Sequence, residues 1–409
     1  MRWIKAKLVG VMFLLPAVAA LAATTVYVSP AGNNTSPFDT WTKAATGIQP
    51  AVNVATNSDV VLVTNGPYLL TTQIVVTNGV TLRSVNGAAQ TILDGQYPTL
   101  TISNRCVYLG HTNAVLDGFT VIRGCTNGGL GGGGILIGHG RAQNCTIISN
   151  YSDANGGGIY LQTGTVWNCV VATNGTVSGG GGICIGNSGS GDTGAVVSNC
   201  VVHGNYTAGW GGGIYLAVNG TIDSCVISNN VISSTLCGGG VLMGGSAAGE
   251  GGVLRNSLIV YNKASTGGGI DVWRRAVIES CTIVSNIGYG LRAGQFATPT
   301  PINTSLRNCI LYNNDNNLYA GSGTLTFTNC CTSPLPAGSD STNNIDVNPA
   351  LVGGGNYRLA NNSPCFNTGT NQSWMTGAVD LDGHSRIRYG KVDMGAYELI
   401  RGGTIYGFH

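Results

Sequence analysis

Lys263, Arg274, Arg275, Arg292 and Asp271 are the residues of this chain whose types suit chemistry on an acidic sugar. Taking the proton α to a uronate carboxylate needs a cation to neutralise that carboxylate and a Lys, Arg or Tyr to accept the proton. Hydrolysis of a glycosidic bond needs paired carboxyls about 5–9.5 Å apart, and calcium needs several clustered carboxylates. The acids of the central chain, Asp117, Asp153, Asp192, Asp223, Glu250, Asp271, Glu279 and Asp315, are scattered. No catalytic residue is assigned on that basis. Lys263, Arg274, Arg275 and Arg292 stand as the candidates for a calcium-independent lyase, and neither a metal nor a cofactor is expected. His139 and His203 are isolated and read as surface-loop residues.

The elements that must position these side chains are repeats. From about residue 130 to 314 two phrases alternate. One is a glycine corner followed by a short apolar strand, as in Gly156-Gly157-Gly158-Ile159-Tyr160-Leu161. The other is Asn-Cys, a few apolar residues, then Asn five positions after the Cys. Its Cys positions are 145, 169, 200, 225, 281 and 309, with Ser257 in the same slot and Phe119 in an earlier one, at spacings of 24 to 32 residues. Strand-length apolar runs with β-branched residues and Gly/Asn punctuation argue for β structure. A period near 27 that tolerates insertions means stacked coils with variable loops. The predicted fold is all-β, a right-handed parallel β-helix of about ten coils with three short strands per coil. In such a stack each slot becomes a column. Asn150, Asn174, Asn205, Asn230, Asn262, Asn286 and Asn314 form one, expected to be an amide ladder. Cys145, Cys169, Cys200, Cys225, Cys281 and Cys309 form another. No two of the acids named above share a slot in this alignment.

Neighbouring coils hold column thiols about 4.8 Å apart, whereas a disulfide brings Cβ atoms to about 3.5–4.5 Å. Stacked free thiols are therefore expected for most of the thirteen Cys. Cys330 and Cys331 lie off the regular stack by this reading, and Cys331 with Cys365 is the disulfide candidate. By period-two alternation the middle residue of each glycine-phrase strand faces outward. That stripe reads Leu136, Tyr160, Cys184, Tyr215, Leu242, Asp271, Arg292, with Trp273 in the next turn. Tyr160, Tyr215, Asp271, Trp273 and Arg292 are the candidate ligand-binding set, since pyranose faces stack on aromatic rings and Arg or Asp reads hydroxyls or carboxylates. The plainer reading of the same residues is a solvated face with one surface ion pair worth about 0–1 kcal/mol.

Arg2, Lys5 and Lys7 precede the apolar stretch 8–20 and the small-residue motif Ala20-Leu21-Ala22, the pattern of a removable export signal. Its loss takes three of the 19 Lys and Arg and leaves a nearly neutral chain. With no basic run, nucleic acid is not an expected partner, and no later segment reads as a membrane span. The expected layout is a signal peptide over 1–22, an N-terminal cap over 23–59, the β-helix over 60–330, a C-terminal capping segment over 331–400 and a tail over 401–409. Trp41, Ala44, Ala45, Ile48, Val52 and Ala55 follow helical spacing, so 37–57 should supply a capping helix that Pro50 divides or kinks.

Three segments resemble known proteins. Tyr27-Val28-Ser29-Pro30-Ala31-Gly32-Asn33-Asn34 with Val60-Val61-Leu62-Val63 resembles the opening of many secreted bacterial β-helix proteins and some polysaccharide lyases. The repeats resemble those of the pectate-lyase-like superfamily. Asp380-Leu381-Asp382-Gly383, Arg386 and Val392-Asp393-Met394-Gly395-Ala396-Tyr397-Glu398 resemble the terminal segment of the choice-of-anchor Q group. The resemblance implies the fold and an exported, secreted or cell-surface bacterial location, not a reaction. The reading that emerges is a monomeric β-helix acting as a binding or structural element towards extracellular polysaccharide, leaning away from an enzyme. The polysaccharide lyase and an adhesin are the alternatives.

Overall fold

A computed structural model describes residues 23–99, 103–186, 194–244, 251–294, 303–321, 324–336 and 341–401. The export-signal region, Asp192, Glu250 and all of the tail but Arg401 lie outside the described residues. The chain is a right-handed parallel β-helix. One coil shows the plan: Ile159–Leu161, Thr165–Trp167 and Val170–Ala172 are its three strands, and Gly175–Thr176 adds a two-residue fourth. The first two strand columns merge, through the long strands Val107–Asp117 and Ile135–Gln143, into a 21-stranded sheet. The third forms an 11-stranded sheet and the short fourth a 5-stranded one.

The corners explain the punctuation. The residue before each Cys slot is left-handed: Asn144, Asn168, Asn199, Ser224, Asn256, Ser280 and Asn308 all have φ between 49° and 55°. Asn tolerates that region better than most residues, which is why the phrase reads Asn-Cys. Glycine serves two ends at the other corner. Gly156 has φ 72°, and a Cβ on Gly158 would stand 2.8 Å from Nδ2 of Asn174.

The Asn column is continuous. Each amide nitrogen from Asn150 to Asn286 donates to Oδ1 of the Asn one coil on, at 2.9–3.0 Å, and also to a backbone carbonyl of the preceding coil. Asn314 passes the chain to Asn317. The Cys column is buried in the main core, with Ser257 completing it by accepting from the Cys225 N–H at 3.0 Å. Cys330 proves to be the last member of that column, buried beside Cys309, and not off the stack as expected.

Two terminal segments differ from expectation. The N-terminal helix is only Ile48–Val54, burying Ile48, Ala51 and Val52, while Trp41 lies in a turn and Ala45 bridges in parallel to Val28. Pro50 stands within its first turn, where no intrahelical N–H bond is lost, so the helix is neither divided nor kinked there. Thr25–Val28, within the expected cap, pairs in parallel with Val60–Val63 as the first rung of the stack.

At the other terminus, Ser341–Thr342 pairs with Thr324–Thr328 and Ile345 bridges Cys331 along the edge of the last coil, and the residues after about 345 continue from there. They run back along the flank of the β-helix, over the outward side of the third-strand column. Leu258, Val260, Val284, Ile310 and Cys331 are buried there against Leu359, Cys365, Met394, Ala396 and Tyr397. Backbone joins tie the segment down: Ala396 N–H donates to Oγ1 of Thr282 at 2.9 Å and Gly395 N–H to the Asn308 carbonyl at 2.7 Å. Cys331 and Cys365 lie against each other in this flank core as buried thiols, not as the expected disulfide. Among the described residues no helix is long and apolar enough to cross a membrane.

Candidate functional site: an aromatic face over a buried ion pair

The outward stripe of the first-strand column is in continuous register: Tyr108, Leu136, Tyr160, Cys184, Tyr215, Leu242, Asp271, Arg292, Tyr319. Its middle is not solvated. Cys184, Tyr215 and Leu242 are buried, with Tyr160, Trp210, Ala217 and Trp273 packed on them. The centroid of the Trp210 ring is 6.4 Å from that of Tyr215 and 6.0 Å from that of Trp273, the latter edge-on. Asp271 and Arg292, one coil apart, form an ion pair whose side chains are 0% and 5% exposed. The pair is therefore a buried one, and the expectation of a weak surface contact is corrected. Burial of the aromatic neighbours has stripped it of water, and a buried pair loses heavily when one partner is removed.

Electrostatics follow from that burial. Desolvation pushes the Asp271 carboxyl up to about 6, with Arg292 opposing the shift and Cys237 and Trp273 beside it. Burial, then the Asp271 charge, pushes the Cys237 thiol up to about 12. Burial likewise raises the Tyr160 and Tyr215 phenols to about 12. These two tyrosines stay protonated near neutral pH and offer rings and O–H groups, not a base.

The candidate cations do not converge. Lys263 bridges Val231 and Ile287 in the short fourth-strand column, ahead of the glycine corner. Arg274 and Arg275 are in the turn after Ile270–Val272, with Arg275 exposed and Arg274 half-buried. Arg292 is committed to Asp271. The face thus has an aromatic floor and a neutralised centre, with Arg274 and Arg275 in the turn that follows Trp273.

Two members of this site were missed by sequence reasoning. Trp210 and Cys237 share the slot immediately before the glycine corner, as the bonds Gly180 N–H to Trp210 carbonyl and Gly211 N–H to Cys237 carbonyl show. Their signal was available as a large or sulfur-bearing residue directly ahead of a glycine run. A second correction concerns the acids. Asp117, Asp223 and Glu279 do share a slot, in the second-strand column, Asp117 next to Arg83 and, beyond Gln143, Trp167 and Ser198, Asp223 and Glu279 interleaved with Arg255 and Arg307. Each is paired, at 3.0, 2.8 and 3.1 Å, so the column is a ladder of ion pairs and no two of these acids are neighbours. The segment 380–398 carries its own buried network. Arg386, fully buried, meets Glu398 at 3.2 Å, and Asp380 accepts from the Asp382, His384 and Glu398 N–H groups at 2.7–2.9 Å. Asp382 pairs with Arg358.

Residues 182–363 match the family described as a right-handed beta helix region. Among solved structures the chain is similar to pectate lyase Pel9A, with a TM-score of 0.63, 15% identity, and 92% of this chain and 96% of that one covered. It is also similar to a rhamnogalacturonan lyase, with a TM-score of 0.51, 17% identity, and 81% and 91% covered. At these identities the likeness is one of fold. No curated protein matches the chain by sequence.

Proposed function

We propose that this β-helix is an exported carbohydrate-binding protein, and that the face lined by Tyr160, Trp210, Tyr215 and Trp273 takes an acidic extracellular polysaccharide. One observation carries the reading: aromatic side chains from three different coils converge on one outward face, above a buried Asp271–Arg292 pair. An outward solenoid face with no ligand needs neither clustered rings nor a desolvated ion pair. Aromatic rings stack on the C–H faces of sugar rings, and sites of this kind bury an apolar body with a few placed polar groups. Uronate carboxylates would lie beside the turn that carries Arg274 and Arg275, which follows Trp273 directly. The leader-like residues 1–22 and the similarity of 380–398 to the choice-of-anchor Q terminus support export and a place at or beyond the cell surface.

Binding is favoured over cleavage because Arg292 is held by Asp271, Lys263 lies across the strand from Arg274 and Arg275, and the nearby tyrosines are held as phenols. The test is migration in native gels cast with polygalacturonate or alginate, together with the absorbance of unsaturated product. Retarded migration, lost in Trp210→Ala, with no rise in absorbance, is the expected result. A rise that disappears in Arg275→Ala would replace this reading with a lyase.

A further inference from the structure

A cleft of about 430 Å³ opens on the flank, between the third-strand column and the hairpin formed by Leu351–Gly353 and Asn356–Leu359. Tyr261 and Tyr312 come from the coils and Tyr357 from the hairpin, and Asn313, Asn348 and Asn356 lie among them. Among the described residues no acidic or basic one lines it. The rings of Tyr261 and Tyr357 meet edge-on at 6.1 Å, with Ser285 beside the Tyr357 hydroxyl. Across the mouth the hairpin turns through Gly353, Gly354 and Gly355, all at positive φ and with open space where each Cβ would be.

Tyr261 is the telling residue. It stands immediately before the ladder Asn262, in the slot held elsewhere by Ser149, Thr173, Gly204, Asn229, Ser285 and Asn313, and all of them are left-handed. Arg123 shares the slot at φ 52°, and the other residues there are small or amide side chains; a bulky aromatic ring in that conformation is strained, and strained residues gather at functional sites. Tyr261 also has 48% of its surface exposed, so the core does not require its ring. An uncharged, amide-rimmed pocket with tyrosine walls matches an uncharged pyranose: C–H faces against rings, hydroxyls to amides.

We propose that this cleft is a second carbohydrate subsite, specific for neutral sugar units. It shares with the reading above only the class of ligand, and it lies on a different face from Trp210. The experiment is retardation of the full chain in native gels cast with neutral galactan, galactomannan or β-glucan, with polygalacturonate in parallel. The key variant is Tyr261→Asn, which places in the slot the residue found at Asn229 and Asn313 and is expected to fold with an unchanged or higher melting temperature. Retardation on at least one neutral polymer, weakened at least tenfold in Tyr261→Asn, kept in Tyr261→Phe and unchanged in Trp210→Ala, is the expected outcome. Absence of retardation on every neutral polymer, or equal retardation of wild type and Tyr261→Asn, overturns the proposal. Loss of acidic-polymer binding alone in Trp210→Ala would bear on the aromatic face and leave this cleft standing.

Discussion

The Asn205 amide uses all four of its hydrogen-bonding positions. Its nitrogen donates to the Val171 carbonyl and to Oδ1 of Asn230, and its oxygen accepts from the N–H and the amide of Asn174. Removing one partner from a buried set leaves the others unsatisfied at about 1–3 kcal/mol each. Asn205→Ala should therefore destabilise the protein by roughly 3 kcal/mol, read as a lower urea midpoint, while Asn362→Ala, at an exposed turn position, should leave the midpoint in place. A second residue-scale prediction concerns pH. Desolvation, with the charges of Asp393 and Asp380, pushes Glu398 up to about 8 although Arg386 opposes it, and desolvation lifts Asp271 to about 6. In the unfolded chain both titrate near 4. A proton held longer in the folded state gives stability that is complete below the unfolded value and lost as pH rises through the folded one. The urea midpoint should therefore fall between pH 5 and pH 8.5, and Glu398→Gln should flatten the upper half of that fall. An unchanged slope in the variant would mean Glu398 is already ionised in the native protein.

Elements are where the sequence was least legible. The columns could be read because identical residue types recur at one spacing, so Cys145 to Cys309 and the Asn ladder name their own slots. The ion-pair column could not, because Asp117, Gln143, Trp167, Ser198 and Asp223 share a slot without sharing a type. The outward direction of Asp271 followed from alternation, but its burial depends on Cys237 and Arg292, supplied by the coils on either side. The helical spacing of Trp41, Ala44 and Ala45 was overridden because extended pairing of Ala45 with Val28 buries the two alanines without a helix. The flank position of the C-terminal segment rests on contacts across more than a hundred residues, such as Ala396 to Thr282. That position changes the reason for a truncation effect. A chain ending at residue 330 would uncover Leu258, Val260, Val284 and Ile310 along one face, and a contiguous exposed apolar strip drives association. Size-exclusion chromatography of that truncation should show soluble aggregates. A monomer with a cooperative melt would show that the flank cover is dispensable.

At the scale of the whole molecule, a stack in which each coil touches only its neighbours is stable along its length and free to vary its loops and outer faces. Function on such a scaffold has to be argued from the side chains that break the repeat. Here these are Trp210, Trp273, Asp271 and Arg292 on one face and Tyr261 on another, each departing from the small or apolar residues of its column. The aromatic face bears the central claim, and titration calorimetry of an oligogalacturonate into the full chain tests it most directly. The account predicts a saturable binding heat, with affinity at least tenfold weaker, about 1.4 kcal/mol, in Trp273→Ala measured at a temperature where the variant is still folded. No binding heat in the wild type, or equal affinity in wild type and variant, would contradict it.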